Sequence, residues 1–561
     1  MPLADTLVLA TTIHTLDGSA TAPTAIAVAD GRIAGVGDQE SLRYLTGPDT
    51  VVHDYGDATI VPGLTDSHTH TVSGATFARG LDLTDVGPIE EVARRLAEEA
   101  TRLNPGGWVL GWGLDPNLFN DTGFTGRVFD AATKDTPMFL RMRDAHAAII
   151  NSAAVRVCGI IGGETAFHDA SRVDVDGDGL PTGYLVESSA MALAEAHIPP
   201  LTMSERVDAL VQVLRDMAAT GLTGNHVLDF DEEQVPLLRA AEARGPLPVR
   251  LRLSPWVPAG SGPDIWERLV AWQKLSGERW QVEGVKFFID GTIDNGSAWL
   301  EAPDSRGQGI TSVWTDPEDY RAALGFFARR GIPTCTHAIG DRGIRFVLDC
   351  FEQLGAEAER APHRIEHIET VPDETIARFA RLGVSASMQP IHGTHHTRAD
   401  RTDNWSERLG DERAARGWRC RDLREAGATL ALGSDWPVTP FDPRAMMTDA
   451  ILRRPAARPD AAPVQPEQAL TPLMALEGYT THSARSIGAE DQRGSVAVGL
   501  SADLTVLAED LLTIDPARIA SIDVLATYVA GRRAHVPQRP APESRRVRGS
   551  RSAFRRTPRR P

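Results

Sequence analysis

Two histidines separated by one residue end an apolar segment near the start of the chain, in Val61-Pro-Gly-Leu-Thr-Asp-Ser-His-Thr-His70. Successive side chains of a β-strand point to opposite faces, so His68 and His70 are predicted to lie side by side on one face. Two imidazoles placed in this way can bind one divalent metal ion. Two exposed histidines on a strand are more common than a ligand pair, so the prediction depends on further ligands elsewhere in the chain.

Four later apolar runs each carry, at or near their ends, one more residue that can bind a metal or transfer a proton: Lys286, His337, His367 and Asp435. A single histidine at a strand end is usually only hydrogen-bonded, but the whole set in regular order is hard to attribute to chance. Imidazoles with a carboxylate can hold one or two divalent ions such as Zn²⁺ and leave a position for water. The predicted chemistry is hydrolysis by metal-bound hydroxide, with Asp435 transferring the proton.

Lys286 is the unusual member of the set because an ammonium group cannot bind a cation. Lysine occurs only at positions 134, 274 and 286, and every other basic residue is arginine. Burial lowers the pKa of a lysine, and a neutral amine can add CO₂ to form a carbamate that bridges two metal ions. The alternative is that Lys286 pairs with a carboxylate such as Asp290 and neutralises the site. The bridge is the preferred interpretation.

Between residues 63 and 485 the chain alternates short apolar strands with amphipathic segments. The predicted strands are 60–70, 223–229, 249–256, 284–291, 332–340, 364–369, 384–390 and 429–437. Repeating βα units imply a parallel sheet, and eight of them predict an α/β fold of the (β/α)₈ TIM barrel type. Active sites of such barrels lie at the C-terminal ends of the strands, where the candidate ligands occur.

Two further units accompany the predicted barrel. Residues 1–62 and 486–537 alternate β-rich runs with turns, and together they are predicted to form a small composite β-sandwich domain. The first two barrel strands are separated by far more residues than a βα connection needs. An insert subdomain over residues 75–200, placed above the mouth of the barrel, is therefore expected.

Several residues near the predicted centre are candidates for substrate binding, although those in the insert are equally expected to bond only within it. They are Trp112, Asp115, Arg143 and His146 in the insert, and Asp290 and Trp436 in the barrel. For Trp436, packing alone is the alternative. Three more histidines, His392, His395 and His396, follow the seventh strand. One interpretation is that they face substrate, and the preferred interpretation is a solvated loop.

The charge of the chain limits its partners. The net charge is −18, and residues 538–561 carry nine arginines and one glutamate. This basic tail is expected to be disordered, and the acidic remainder argues against a nucleic-acid partner. No apolar run reaches the ~20 residues that span a bilayer, and no signal peptide is evident, so a cytoplasmic enzyme with a small-molecule substrate is expected. A homodimer is left open.

The segments that carry these residues resemble the amidohydrolase superfamily, and specifically its amidohydrolase-3 (YtcJ-like) branch, over nearly all of residues 5–535. The markers are Pro62-Gly-Leu-Thr-Asp-Ser-His-Thr-His70, Pro181-Thr-Gly-Tyr-Leu-Val-Glu187, Gly284-Val-Lys-Phe-Phe-Ile-Asp-Gly291, His337-Ala-Ile-Gly-Asp-Arg342, Arg364-Ile-Glu-His367, Gly433-Ser-Asp-Trp-Pro-Val438 and Gly494-Ser-Val-Ala-Val-Gly-Leu-Ser-Ala-Asp503.

The resemblance implies metal-dependent hydrolysis of an amide or another non-peptide C–N bond. It implies that His68 and His70 bind the more buried metal, that His337 and His367 bind the outer one, and that Lys286 bridges them. Asp435 is then ligand and proton shuttle. Relatives often continue the lysine strand as Asp-Gly-Ser-Leu-Gly-Ser-Arg, whereas this chain reads Asp290-Gly-Thr-Ile-Asp-Asn-Gly-Ser, so substrate preference is not transferred.

Two alternatives to this function are kept. The same centre can hydrolyse a lactone or a phosphoester, because the ligand set does not fix the leaving group. The chain can also be a catalytically silent scaffold, but such scaffolds commonly lose ligands and here all of them are present.

Overall fold

The computed structural model describes residues 3–537, except residues 20, 21, 85, 105, 120, 121, 144, 164–166 and 168–170. The basic tail at 538–561, expected to be disordered, lies outside the described residues. None of the described helices is both long and apolar enough to cross a membrane.

The described strands are numbered in chain order. They are β1 Thr6–Leu9, β2 Thr12–Ile13, β3 Ala25–Ala29, β4 Arg32–Gly37, β5 Val51–Asp54, β6 Thr59–Pro62, β7 Leu64–Thr69, β8 Leu81–Asp82, β9 Val109–Leu114, β10 Met138–Met142, β11 Ala147–Ile150, β12 Arg172–Val175, β13 Pro181–Val186, β14 Leu222–Phe230, β15 Arg250–Pro255, β16 Trp280–Val282, β17 Val285–Phe288, β18 Thr334–Ala338, β19 His363–His367, β20 Ser385–Met388, β21 Leu430–Leu432, β22 Leu504–Leu507, β23 Val524–Val529 and β24 Arg532–His535.

The described α-helices are numbered in the same way. They are α1 Thr71–Phe77, α2 Ile89–Arg102, α3 Asp130–Thr133, α4 Ser152–Cys158, α5 Ser188–Glu195, α6 Met203–Ala219, α7 Val235–Glu242, α8 Pro263–Trp272, α9 Pro317–Arg329, α10 Asp341–Leu354, α11 Asp373–Leu382, α12 Pro390–His396, α13 Asn404–Leu409, α14 Asp411–Ala414, α15 Cys420–Glu425, α16 Pro443–Leu452, α17 Pro472–Tyr479 and α18 Thr481–Arg485.

Two parallel sheets form the central part of the chain. One has the order β16-β15-β14-β7 and the other runs β17-β18-β19-β20-β21. Single bridges connect their edges, between Trp256 and Lys286 and between Thr69 and Trp436, instead of a continuous ladder. Each of the predicted barrel strands has a counterpart here, and helices separate most of them. This is a TIM-barrel-type α/β fold.

The first predicted strand, 60–70, is two strands instead of one. β6 pairs with β22 in a sheet at the chain ends, whereas β7 pairs with β14 in the barrel. Gly63 lies between them, and a Cβ there would be 2.4 Å from Thr223 Oγ1. Glycine is needed where the chain passes from one sheet to the other, because a side chain at this position would collide with Thr223 on β14.

Both ends of the chain contribute to the remaining sheets. One sheet has the order β4-β3-β1-β5, and the second, β2-β6-β22-β23-β24, combines strands from the N- and C-terminal parts. Val8 and Ile26 of the first sheet share a buried cluster with Ile60, Val506 and Tyr528 of the second.

The long connection between β7 and β14 contains a six-stranded sheet, β12-β13-β11-β10-β9-β8, with buried clusters of its own. This insert reaches the C-terminal ends of the barrel strands. The Tyr184 hydroxyl donates to Asn295 Oδ1 at 3.3 Å, and the ring of His146 lies 6.0 Å from that of His337.

The helices cover the outside of the barrel with one apolar face. In α10, the buried residues Ile344, Val347, Leu348 and Phe351 recur at the three- and four-residue spacing of a single helix face. Each such side chain contributes about 1.5–3 kcal/mol by burial. Packing on the outer surface leaves the inner face of the strands free for polar side chains.

Candidate metal centre

Histidines and one carboxylate converge at the C-terminal ends of the barrel strands. Asp435 Oδ1 lies 3.1 Å from His70 Nε2 and 3.4 Å from His68 Nε2. Asp435 Oδ2 lies 3.9 Å from His367 Nδ1 and 3.8 Å from His392 Nε2. Two sets have their ligand atoms within 4.8 Å of one another: His68, His70 and Asp435, and His367, His392 and Asp435. The carboxylate of Asp435 is common to both.

His337 and Lys286 complete the predicted set. The His337 ring lies 4.4 Å from the His367 ring, and its Nε2 is 3.1 Å from the carbonyl oxygen of Gly291. Lys286 is fully buried, and its Nζ lies 4.9 Å from the centre of the Phe288 ring. Among the described residues its Nζ has no hydrogen-bond partner.

The alternative pairing of Lys286 with Asp290 is not formed. The two oxygens of Asp290 accept the backbone N–H groups of Trp299, Ile339 and Gly340 at 2.8–3.0 Å. Asp290 is 1% exposed, and burial raises its pKa to about 7 although these N–H groups oppose the change. The geometry assigns Asp290 to holding the loop after β17 against β18.

Two of the site residues have unusual backbone conformations. His367 has φ 73° and Asp435 has φ 59°, in the left-handed region that residues with side chains seldom adopt. Such positions cost about 1–3 kcal/mol each and are concentrated at functional sites. His367 is the last residue of β19 and Asp435 follows β21, and their side chains approach to 3.9 Å.

The buried polar atoms of the centre fit a metal ion. Among the described residues, those without a hydrogen-bond partner include His68 Nε2, His367 Nδ1, His392 Nε2 and Asp435 Oδ1. Leaving a buried polar atom unpaired costs about 1–3 kcal/mol, so such atoms seldom gather without a ligand. Imidazole nitrogens with a carboxylate oxygen are the donor set of a borderline-soft divalent cation.

Glu366 holds His68 in orientation for this role, and the sequence interpretation missed it. Glu366 is fully buried, and its Oε2 accepts from His68 Nδ1 at 2.8 Å. Its Oε1 lies 2.7 Å from Arg364 Nε. A carboxylate that takes the Nδ1 proton leaves Nε2 free for a metal. The only sequence signal was the position of Glu366 beside His367.

Electrostatics favour neutral imidazoles at most of the centre. Burial lowers the pKa of His68, His337 and His367 well below the usual value. The positive charge of Lys286 lowers these three pKa values further. Burial also lowers the pKa of Lys286 itself, against the attraction of Glu366. A neutral imidazole is the form that binds a metal.

His70 and Asp435 differ from their neighbours. Burial alone would lower the pKa of His70, but the nearby Asp229 and Asp435 carboxylates raise it to about 9. Burial alone would raise the pKa of Asp435, yet the His68 and His70 imidazoles hold it below its ordinary value. Asp435 is therefore a carboxylate, able to accept a proton.

The interpretation of His392, His395 and His396 as a solvated loop is wrong. They lie on α12, and His392 is 4% exposed. The ring of His392 stacks at 5.0 Å on that of His396, and His395 Nε2 lies 3.0 Å from Asp449 Oδ2. The helix starts directly at the end of β20 with Pro390 in its first turn, which turns the chain back across the site.

The insert places some of the substrate-binding candidates near the centre. His146 Nδ1 lies 2.9 Å from Glu187 Oε2, and the His146 ring lies 6.0 Å from the His337 ring. Arg143 and Asp115 form an ion pair at 3.0 Å within the insert. Arg143 is close enough to His392 to lower its pKa, after burial as the main cause.

The other two aromatic candidates are placed differently. Trp436 is 6% exposed and packs against Gly74 and Phe441, so it forms part of the wall behind Asp435. Trp112 is partly buried on β9, where its carbonyl oxygen accepts the N–H of Leu83.

Comparisons with known proteins identify the family of the chain. Residues 52–535 match the model of the amidohydrolase family. YtcJ of Bacillus subtilis (strain 168), which carries an amidohydrolase name, is 30% identical over 516 residues, 90% of this chain and 95% of YtcJ. N-substituted formamide deformylase of Arthrobacter pascens is 26% identical over 539 residues, 94% of this chain and 98% of that protein.

A solved structure described as a metal-dependent hydrolase from Pyrococcus horikoshii OT3 has the same fold, with a TM-score of 0.70, 24% identity, and coverage of 91% of this chain and 99% of that one. The chain therefore belongs to the amidohydrolase family and is a hydrolase that acts on carbon–nitrogen bonds.

Proposed function

We propose that this chain hydrolyses an amide or another non-peptide C–N bond of a small molecule with the help of one or two divalent metal ions, zinc being the expected metal. The observation that carries the proposal is the convergence of partnerless buried atoms on Asp435 and the surrounding histidines. The similarity to an enzyme named for removing a formyl group from nitrogen supports an acyl C–N bond as the target.

The proposal assigns a role to each residue of the centre. His68 and His70 are assigned to one metal, and His337 and His367 to the second. His392 is added to the candidates because its Nε2 lies 3.8 Å from Asp435. A bound metal ion supplies a Lewis acid that lowers the pKa of a coordinated water to ~7.

Asp435 is assigned the proton transfer. Its carboxylate accepts the proton that the attacking water loses as the new C–O bond forms. It then gives this proton to the nitrogen as the C–N bond breaks, so the amine leaves neutral and the other product is the acid. A carboxylate with a lowered pKa that borders both ligand groups is positioned for both steps.

Lys286 is proposed as the bridge between two metals. Its neutral Nζ adds to the carbon of dissolved CO₂ and loses one proton, which gives an anionic carbamate in place of an ammonium. The absence of a described hydrogen-bond partner for Nζ, together with full burial, supports this assignment. A buried Lys286 Nζ without a partner would destabilise the fold, whether the amine is neutral or charged.

His146 is proposed to contact the substrate from the insert. Its pairing with Glu187 and the 6.0 Å separation from the His337 ring support this assignment. An imidazole oriented by a carboxylate can donate to the oxygen of a carbonyl group.

The test combines three measurements on the full chain purified with zinc. Metal stoichiometry distinguishes one metal from two, and intact mass under non-denaturing conditions reports an added CO₂ on the chain. A panel of N-formyl amines, other amides, lactones and phosphoesters reports the bond that is cleaved. Hydrolysis of amides with bound metal is expected. Metal-loaded protein that cleaves only lactones or phosphoesters would contradict the proposed bond.

A further inference from the structure

A cavity of about 220 Å³ lies at the end of the barrel opposite the metal centre. Its wall contains Thr65 and Gly224 from the starts of β7 and β14, and Arg250 and Trp280 as the first residues of β15 and β16. Residues 487–489, 492 and 493, in the segment that leaves the barrel, form one side. The candidate metal ligands lie within the strands or just after them, and none of them lines this cavity, so the two sites do not share residues.

The charge of the cavity wall is opposite to that of the chain. Arginines at positions 250, 252, 279 and 493 face only two glutamates, at positions 278 and 283, which leaves a net charge of +2 on the wall. The whole chain carries −18. A local excess of arginine in an acidic protein indicates a binding function more than a solvated surface.

Two of these arginines have acidic partners. Arg250 Nε lies 3.1 Å from Asp503 Oδ2, and Arg252 Nε lies 3.5 Å from Glu283 Oε2. Arg250 and Arg252 are two residues apart on β15, so both point to the inner face of the barrel. In TIM barrels that face is usually filled by Val, Ile and Leu. Arg252 is 7% exposed, which places a charged group where packing alone would favour an apolar one.

Among the described residues, the other two arginines form no ion pair within 4.0 Å, although nearby carboxylates attract both. Arg279 is 6% exposed and donates to the backbone carbonyl oxygens of Leu247 and Val529, at 2.6 and 3.1 Å. The Nε of Arg493 is buried, and no described residue accepts a hydrogen bond from it. A buried charged donor without an acceptor is costly unless a ligand supplies one.

The arginines also disfavour each other. Burial lowers the pKa of Arg252 to about 10 against the attraction of Glu283, and the charges of Arg364 and Arg493 lower it further. Burial is likewise the main reason why the pKa of Arg493 is lowered. An anion between these groups would reduce their mutual repulsion.

We propose that this cavity is a binding site for a small oxyanion, a phosphate or carboxylate group, held by Arg252, Arg279 and Arg493. Planar guanidinium groups bind both kinds of anion with two parallel hydrogen bonds. The cavity is smaller than the ~300–1,000 Å³ of pockets for drug-sized ligands, which limits the occupant to a small anion. The site is separate from the metal centre, so the proposal does not depend on the reaction that the centre catalyses.

Calorimetric titration of the zinc-loaded full chain tests the site, with inorganic phosphate and malonate as separate probes and sodium chloride at matched ionic strength as the blank. One anion per chain is expected to bind at the cavity, and the tighter of the two probes identifies the preferred group. Arg493→Gln is expected to weaken binding by about tenfold or more. Arg518→Gln, which changes an exposed arginine paired with Glu509, is the matched control and should bind as the wild type does.

A second variant guards against loss of fold in Arg493→Gln. Glu283→Gln keeps the shape of the wall and removes a negative charge that faces Arg252, so binding should become about threefold tighter. Phosphate can also bind a catalytic metal. Binding that is unchanged in both cavity variants, or that disappears only when zinc is removed, would place the anion elsewhere and overturn the proposal. No binding of either probe would overturn it as well.

Discussion

Asp435 combines the contacts of a metal ligand with those of a proton carrier. Its two oxygens face different histidine groups, and its ionised form is favoured by the neighbouring imidazoles. Asp435→Asn keeps the size of the side chain but removes its ability to take a proton. We expect kcat to fall by about 10²–10⁴-fold. The remaining histidines should keep most of the metal, as measured by metal analysis of the dialysed protein.

The matched control is Asp442→Asn. Asp442 is an N-cap whose side chain accepts the backbone N–H of Arg444, and asparagine caps a helix equally well. This control should keep wild-type activity. Full activity in Asp435→Asn with metal bound would contradict the assigned proton transfer.

Glu366 is expected to determine metal affinity without touching the metal. It accepts from His68 Nδ1 at 2.8 Å, which orients the ring and sets its tautomer. Glu366→Gln weakens this acceptor, and metal affinity should fall by about 10–100-fold. Competition with a chelator measures the change, and Glu267→Gln at the surface is the control. Unchanged affinity in Glu366→Gln would show that His68 needs no such partner.

At the level of residues, short motifs near strand ends indicated side chains that the fold brings together. His68, His70 and Asp435 are within ligand distance of one another, as the alternation of strand side chains and the order of the strands suggested. Glu366 and His392 were missed for a physical reason. Each comes to the centre through contacts across the barrel, and neither local spacing nor composition encodes such contacts.

Close packing between the first and last barrel strands determines the geometry of the centre. Asp66 Oδ1 accepts the N–H groups of His68 and Ser434, which connects β7 to the segment after β21. Gly433 lies in this contact, and a Cβ there would be 2.6 Å from the backbone nitrogen of His68. No side chain fits at that distance without moving one of the strands.

Gly433→Ala is therefore expected to separate His68 from Asp435. We expect a cost of at least about 1–3 kcal/mol, a lower melting temperature and weaker metal binding. Gly177→Ala is the control, because Gly177 lies in a turn of the insert and a Cβ there meets nothing within 4 Å. If Gly433→Ala binds metal and melts as the control does, the strand contact is less rigid than its geometry indicates.

His482 connects α18 to the start of β21 by a hydrogen bond, and this hydrogen bond is sensitive to acid. Its Nδ1 accepts the N–H of Leu430 at 2.9 Å, which requires an unprotonated ring, and burial lowers its pKa from 6.5 to about 4. Between pH 6.5 and about 4, the unfolded chain therefore binds a proton at His482 that the folded chain does not bind. Stability from this group is complete above pH 6.5 and is lost as the pH falls toward 4.

His482→Asn tests this contribution, since the side-chain oxygen of asparagine can replace Nδ1 as acceptor but does not titrate. At low pH the variant avoids a loss of at most about 3 kcal/mol in the free energy of unfolding. Melting temperatures of both proteins, measured from neutral pH down to 4, should therefore converge or cross as the pH falls. Parallel curves would show that His482 does not contribute.

At the level of elements, each of the eight predicted strands has a counterpart, because apolar runs between helical segments leave a clear local signal, but the short strand β16 was not predicted. The periodicity of the sequence did not predict that the segment 60–70 divides at Gly63, since that break results from contact with Thr223 on a distant strand. The domain boundaries at 62/63 and 485/486 remain a prediction. Strands from both chain ends do pair within one sheet.

The whole molecule has two polar regions inside one barrel. The metal centre and its predicted substrate space lie between the strand C-termini and the insert, and the arginine cavity lies at the strand N-termini. Arg364 lies between them, since it contacts both Glu366 at 2.7 Å and the cavity residue His226 at 2.9 Å. The helices pack their apolar faces on the outside of the barrel. This packing stabilises the fold, so polar side chains can occupy part of the interior.

The basic tail provides the last prediction at this scale. Residues 538–561 carry nine arginines and one glutamate, so their deletion changes the net charge from −18 to −26. They follow β24, which ends at His535 in a sheet at the chain ends and contributes nothing to the metal centre. A chain ending at residue 537 should therefore keep its kcat, its metal content and its melting temperature.

Comparison of the shortened and full chains at low and high salt separates two roles of the tail. Charges on a solvated appendage are screened within about 10 Å at 0.1 M salt, so kcat/KM for a neutral substrate should not differ between the chains at either salt concentration. For an anionic substrate, only the full chain should bind faster at low salt. Loss of activity on deletion at high salt, where such steering is absent, would instead mean that the tail contacts the catalytic region directly.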